Sequence, residues 1–171
     1  MFLIIMGVAG SGKTTIGQRT ADQFGLPYYE GDAFHPAENI EKMSQGVPLT
    51  DADRAGWLEI LSTLITEKLE AGESGVLACS ALKASYRDQL QKDPDRVHFI
   101  YLKGDYDLIH SRLAARSDHY MPPDLLRSQF DDLEEPSEVY AVDIDRPLDA
   151  IFEDVFSYVR SLGLEARRSR R

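Results

Sequence analysis

An apolar run, Phe2 to Ile5, leads straight into Met6-Gly7-Val8-Ala9-Gly10-Ser11-Gly12-Lys13-Thr14-Thr15, with another glycine at Gly17. Glycine weakens strands and helices alike, so such a cluster at the end of an expected strand needs a physical reason. The spacing supplies one. Gly7 to Thr14 fits G-x-x-x-x-G-K-[ST], with a strand-like run before it and a helical pattern after it. Glycines so placed let the backbone turn and aim successive N–H groups inward, forming a nest for phosphate oxygens. A helix starting near Lys13 adds its positive N-terminal end. The expectation is a nucleoside triphosphate, ATP, held by Gly7, Val8, Ala9, Gly10, Ser11, Gly12, Lys13, Thr14 and Thr15. Lys13 reaches the β- and γ-phosphates, and the Thr14 hydroxyl sits on Mg²⁺.

Strand-like and helix-like patches alternate along the rest of the chain. Strands are expected at 2–6, 27–30, 75–80, 97–102 and 139–144, each short and apolar, as in strands buried on both faces. Trp57, Leu58, Leu61, Leu64, Ile65 and Leu69 form one helical stripe, with Thr50 and Asp53 as a capping box at its start. Leu148, Ile151, Phe152, Val155, Val159 and Leu162 form another. The alternation predicts an α/β, three-layer P-loop NTPase fold: a parallel five-stranded sheet with helices on both faces. Ligands bind such sheets at the carboxyl ends of the strands.

With 171 residues, 43% of them hydrophobic, a single domain over 1–171 is expected. The polar stretch 117–136 reads as a lid insertion, and the arginine-rich 166–171 as a solvated basic tail. A net charge of −10 argues against a nucleic-acid groove, so an anionic substrate must meet a few local cations. The one cysteine, Cys79, excludes an intrachain disulfide or a cysteine zinc cluster and reads as a core residue. No stretch is apolar enough for a secretory signal or a bilayer span, so a soluble, cytoplasmic protein without membrane contact is expected.

A phosphate loop does not name a reaction. A guanine-specific switch normally carries N-K-x-D, yet the only asparagine is Asn39, in Glu38-Asn39-Ile40. Asp53-Arg54-Ala55-Gly56 fits D-x-x-G but falls inside a helical pattern. A small-molecule kinase remains, and several residues stand out as its second-substrate site. Asp32, after the second strand, could accept a hydroxyl proton or order water around the metal, and His35 follows it. Arg54 falls on the core-facing stripe in a helix's first turn, so it points past the core edge or into a cleft, where its planar fork suits a carboxylate. A helix is expected to begin at Ser80, offering a hydroxyl and free N–H groups. Lys83 and Arg87, four apart on one face, suggest a bound anion. Arg112 and Arg116 repeat that spacing before the lid and are expected to clamp ATP, Arg112 catalytically together with Lys13 and Asp32. Asp145-Arg146-Pro147 falls where an adenine-contacting loop would lie.

Longer stretches resemble the gluconokinase family of small P-loop carbohydrate kinases. They are Gly31-Asp32 with His35-Pro36, Asn39 to Met43, Gly46-Val47-Pro48-Leu49-Thr50-Asp51-Ala52-Asp53-Arg54 with Trp57-Leu58, and Cys79-Ser80-Ala81-Leu82-Lys83 with Tyr86-Arg87-Asp88. Tyr101 to Gly104 and Val142-Asp143-Ile144 extend the resemblance over nearly the whole chain. It implies a nucleoside-monophosphate-kinase-like fold, a possible homodimer, and ATP-dependent phosphorylation of D-gluconate to 6-phosphogluconate. Asp32, His35, Arg54, Ser80, Lys83 and Arg87 are the candidate gluconate contacts. Residue types alone leave shikimate, or another small hydroxylated acid, as an alternative. One departure is Glu30, where many relatives are expected to carry Asp. Glutamate keeps the charge but reaches further, which changes any metal-water geometry there.

Overall fold

The computed structural model describes residues 1–115 and 123–165. Five strands, β1 (Phe2–Met6), β2 (Tyr28–Glu30), β3 (Gly75–Ala78), β4 (Val97–Lys103) and β5 (Tyr140–Asp143), form one sheet in the order β2-β3-β1-β4-β5. Every pairing is parallel. Ile4 of the central β1 lies level with Leu77 on one side and Phe99 on the other. Side chains alternate across a strand, so β1 feeds two cores.

Leu3 and Ile5 enter one core with Ile16 and Phe24 of α1 (Lys13–Phe24), Ile109 of α5 (Tyr106–Ala114) and Val155 of α7 (Leu148–Ser161). Phe2, Ile4 and Met6 enter the other, with Trp57, Leu61 and Ile65 of α3 (Asp51–Glu70) and Tyr86 and Leu90 of α4 (Ala84–Leu90). Helices therefore cover both faces, giving the expected three layers. Two shorter helices, α2 (Ala37–Ser44) and α6 (Pro123–Asp132), stand near the sheet's carboxyl edge.

The capping box is present: the Asp53 N–H donates to Thr50 Oγ1 at 3.2 Å, and the Thr50 N–H to Asp53 Oδ2 at 2.9 Å. Asp53 also accepts a 2.6 Å bond from Lys42, and these bonds, Lys42's first, hold its carboxyl down to about 2. The sign follows from the lowered value. Its stabilising share is complete above the ordinary carboxylate range and is lost as pH falls through about 2.

Two expectations about the third strand need correction. The strand stops at Ala78, and the helix begins at Ala84, with Lys83 as its N-cap, not at Ser80. Between them the Cys79 N–H still donates to Ile5 O, and the Gly7 N–H donates to Ser80 O. Ala81 then takes a left-handed φ of 45°, fully buried. A non-glycine residue at positive φ is strained and persists where its surroundings over-determine it. Here the Arg87 guanidinium clamps the turn, donating from Nη1 to Ala81 O at 3.0 Å and to Leu82 O at 2.9 Å. In the sheet β3 lies between β2 and β1, so one strand separates the Asp32 segment from the phosphate loop's strand. Arg116, the start of the lid at 117–122 and the tail 166–171 lie outside the described residues.

Candidate active site

The carboxyl ends of β1, β2 and β3 open into a cleft of about 540 Å³. Its floor is the phosphate loop: Ala9, Gly10, Gly12, Lys13, Thr14 and Thr15 all line it. The loop's shape requires its glycines, since Gly10 and Gly12 hold φ of 80° and 99°. Gly12 caps α1 without a side-chain bond, which leaves the helix's first N–H groups facing the cleft. Gly7 and Val8 do not line the cleft, and Ser11 is buried with its Oγ unpartnered.

Lys13 Nζ donates to Val8 O at 3.0 Å, which curls the side chain back over its own loop. Burial lowers its pKa, and the negative charges of Asp32 and Glu30 oppose that shift. The Thr14 hydroxyl donates to Glu30 Oε2 at 2.8 Å. The longer glutamate thus reaches the phosphate loop across the intervening β3. From the opposite wall, Gln129 of α6 accepts the Ala9 N–H at 2.7 Å.

Asp32 sits in a single 3-10 turn, Gly31–Phe34, directly after β2. Its side chain is 68% exposed, with Oδ1 4.0 Å from His35 Nε2. His35 is buried and stacks on Trp57, the ring centroids 4.2 Å apart and the planes inclined by 17°. Trp57 is in turn anchored by its indole N–H, which donates to Gly31 O at 2.8 Å. Asn39 settles the state of the imidazole. Its Nδ2 donates to Asp53 O at 2.8 Å and lies 3.3 Å from His35 Nδ1. The first bond assigns the amide's orientation, so Nδ1 accepts and the proton rests on Nε2, on the side of Asp32. Burial lowers the His35 pKa, with Arg54 adding to the effect and Asp32 opposing it, which keeps the ring neutral near pH 7.

Arg54 turns into the cleft, and it also makes an internal ion pair. Its Nη1 donates to Asp132 Oδ2 at 2.9 Å and to Tyr86 OH at 3.1 Å. Lys83 stands outside the cleft lining, bonded to Asp51 Oδ1 at 2.8 Å and 3.5 Å from Asp132 Oδ1. The Tyr86 hydroxyl also donates to Asp51. Two cations and two carboxylates thus join α3, α4 and α6 at the cleft's edge.

Asp32, His35, Arg54 and Ser80 all line the cleft, together with Lys13, Thr14 and Thr15. Arg87 does not line it. Its guanidinium faces inward to the Ala81 and Leu82 carbonyls, whereas Lys83 turns to Asp51. Arg112 is likewise absent from the lining, and its Nη2 donates to Ile144 O at 2.5 Å. It braces the start of the Asp145–Pro147 turn. Gln129, Asp132 and Asn39 were not expected at the site. Nothing in the spacing around Gln129 or Asp132 marks them, because their partners Ala9 and Arg54 are 120 and 78 residues away.

A family model described as Shikimate kinase matches residues 9–141. The thermosensitive gluconokinase of Escherichia coli K12 is 44% identical over 154 residues, covering 88% of this chain and 82% of that protein. A crystal structure of a gluconokinase from Sinorhizobium meliloti 1021 superimposes with a TM-score of 0.85 at 41% identity, covering 94% of this chain and 91% of that one. The chain belongs to the gluconokinase family. Shikimate kinase from Aquifex aeolicus, at 16% identity and a TM-score of 0.60 over 96% of this chain and 99% of that one, shares the fold alone. The gluconokinase likeness instead extends to the sequence, at 41% identity over 94% of the chain. Among the described residues, no helix of this gluconokinase-family chain is long and apolar enough to cross a membrane.

Proposed function

We propose that this chain transfers the γ-phosphoryl group of ATP to gluconate, giving 6-phosphogluconate. The observation that carries the reading is one cleft lined both by the phosphate loop and by Asp32, His35 and Arg54, in a chain of this family. ATP lies with its phosphates on the loop, where Lys13 leaves the Val8 carbonyl for the β- and γ-oxygens. Gluconate lies against Asp32, His35, Arg54 and Ser80. His35, neutral and protonated at Nε2, donates to a substrate hydroxyl, and Asp32 accepts from the attacking one. Arg54 meets the carboxylate, in which role Asp132 is its partner until the acid arrives.

The donor set also suits Mg²⁺. Among the described residues no three His, Cys, Asp or Glu side chains form a metal cluster. Thr14 and the carboxylates of Glu30 and Asp32 nonetheless put a few hard oxygens on the same cleft wall. Mg²⁺ in phosphoryl-transfer sites typically takes one or two protein oxygens, completing its shell with phosphate and water. When bound it neutralises charge on the transferring group. A homodimer and residence in the cytoplasm belong to the same reading, supported by the family alone.

An ADP-release assay across gluconate, other sugar acids, shikimate and nucleoside monophosphates tests the substrate. Gluconate should dominate in kcat/KM, and preference for shikimate or a nucleotide overturns the reading. Arginine variants then separate the two binding regions. Arg54→Ala removes a charge-assisted contact of about 1.5–3 kcal/mol, so the gluconate KM should rise roughly tenfold or more with the ATP KM little changed. Arg112→Ala loosens the turn after β5, so the ATP KM should rise while kcat is largely kept. A large kcat loss in Arg112→Ala with an unchanged KM would instead mark a direct clamp on phosphate.

A further inference from the structure

Gly17 belongs to the opening glycine cluster but lies inside α1, one turn beyond Thr14, and takes no part in the phosphate nest. Its function is space. A Cβ on Gly17 would come within 2.8 Å of Tyr28 Cε2 and 3.7 Å of Ile5 Cγ1. The missing side chain lets the Tyr28 ring lie against α1. From there the phenol donates to Glu30 Oε2 at 2.5 Å, the same oxygen that accepts the Thr14 hydroxyl at 2.8 Å.

Thr20, later in the same helix, shows what a threonine hydroxyl otherwise does: it turns back and donates to Ile16 O at 2.7 Å. Thr14, in the first turn of α1, has no helical turn behind it, and its proton goes to Glu30. A hydroxyl has one proton and two lone pairs. With the proton directed to β2, the lone pairs are left for the cleft. Glu30 is a long, half-buried side chain at the last position of β2, and the Tyr28 phenol is the other donor on that oxygen.

We propose that Tyr28, in the space left by Gly17, is a positioning residue for the metal–nucleotide site. It holds Glu30 where Glu30 can orient the Thr14 hydroxyl, oxygen lone pairs outward. This rests on the reading of Thr14 as the side chain that meets Mg²⁺. Glu30, where aspartate is expected in many relatives, then has a stated purpose: its extra methylene spans the gap to α1, and the phenol removes the freedom that the extra torsion introduces.

Calorimetry of a non-hydrolysable ATP analogue, with saturating Mg²⁺ and again in EDTA, tests this without turnover. The readout is the ratio of the two affinities. Tyr28→Phe keeps the ring and should leave binding in EDTA within about twofold. It should cut the Mg²⁺ enhancement by about tenfold, the low end of what outer-shell partners of metal sites contribute. Gly17→Ala, which displaces the ring but keeps the phenol, should do the same. An unchanged ratio in both variants overturns the proposal, as does equal weakening with and without Mg²⁺, which would mark a packing role only. Thr14→Val separates this from the reading beneath it. Loss of the enhancement in Thr14→Val alone sinks the role of Tyr28, whereas its retention in Thr14→Val sinks the assignment of Thr14.

Discussion

Lys13→Ala should give a protein that melts normally and transfers almost no phosphoryl groups. The folding half of that expectation comes from what Lys13 touches. It belongs to neither hydrophobic core, and its one hydrogen bond among the described residues, to Val8 O, is with its own loop. Alanine is the best helix former, so the first turn of α1 loses nothing intrinsic. The catalytic half comes from charge. The ammonium is the one cation among the residues that form the phosphate loop, in a cleft whose carboxylates, Glu30 and Asp32, repel a triphosphate. Removing a single preorganised donor to a developing oxyanion costs about 10²–10³-fold in kcat, and losing a full positive charge there should cost at least as much. Steady-state kinetics beside a thermal melt checks it. Near-normal turnover in a normally melting variant would remove Lys13 from the mechanism.

Asp32→Asn is the second large expected effect, and here two roles give different numbers. The substitution keeps size and one acceptor oxygen but removes charge and basicity. General-base help contributes typically 10²–10⁴-fold, about 3–5 kcal/mol of barrier. If Asp32 takes the proton, kcat should therefore fall by at least about two decades, with ATP and gluconate still bound. If it only positions the hydroxyl, the loss should be smaller and fall mainly on the gluconate KM. Its location suits a proton acceptor: an exposed carboxylate in the same cleft as Lys13, with the His35 N–H side 4.0 Å away and, among the described residues, no lysine or arginine bonded to it. Measuring kcat and both KM values for Asn and Ala at this position decides it. A kcat within about tenfold of wild type rules out the base.

The phosphate loop was legible because everything that makes it is local. Gly10 and Gly12 adopt positive φ within a loop whose spacing alone specifies the nest. The strand–helix alternation was legible for the same reason, and so was the Thr50–Asp53 cap, whose partners are three residues apart. The longer stretches around Asp32, Arg54 and Ser80 carried the family, and all three side chains do meet in one cleft.

The sequence by itself determined which backbone conformations and which faces were available to each segment. Only the tertiary structure decided where the charged ends of the side chains went. Arg54, Lys83, Arg87 and Arg112 look alike as helical arginines and lysines near strand ends. Yet one lines the cleft, one sits on Asp51, one holds a strained turn and one braces the end of β5. The difference lies in partners far along the chain: Asp132 for Arg54, Gln129 for Ala9, and β3 placed between β2 and β1. A guanidinium on a long flexible stem turns toward whichever carbonyl or carboxylate packing brings within about 3 Å. Which one arrives depends on the strand order and on how each helix is rotated on the sheet, and those are set by how the two cores fill, not by any local spacing.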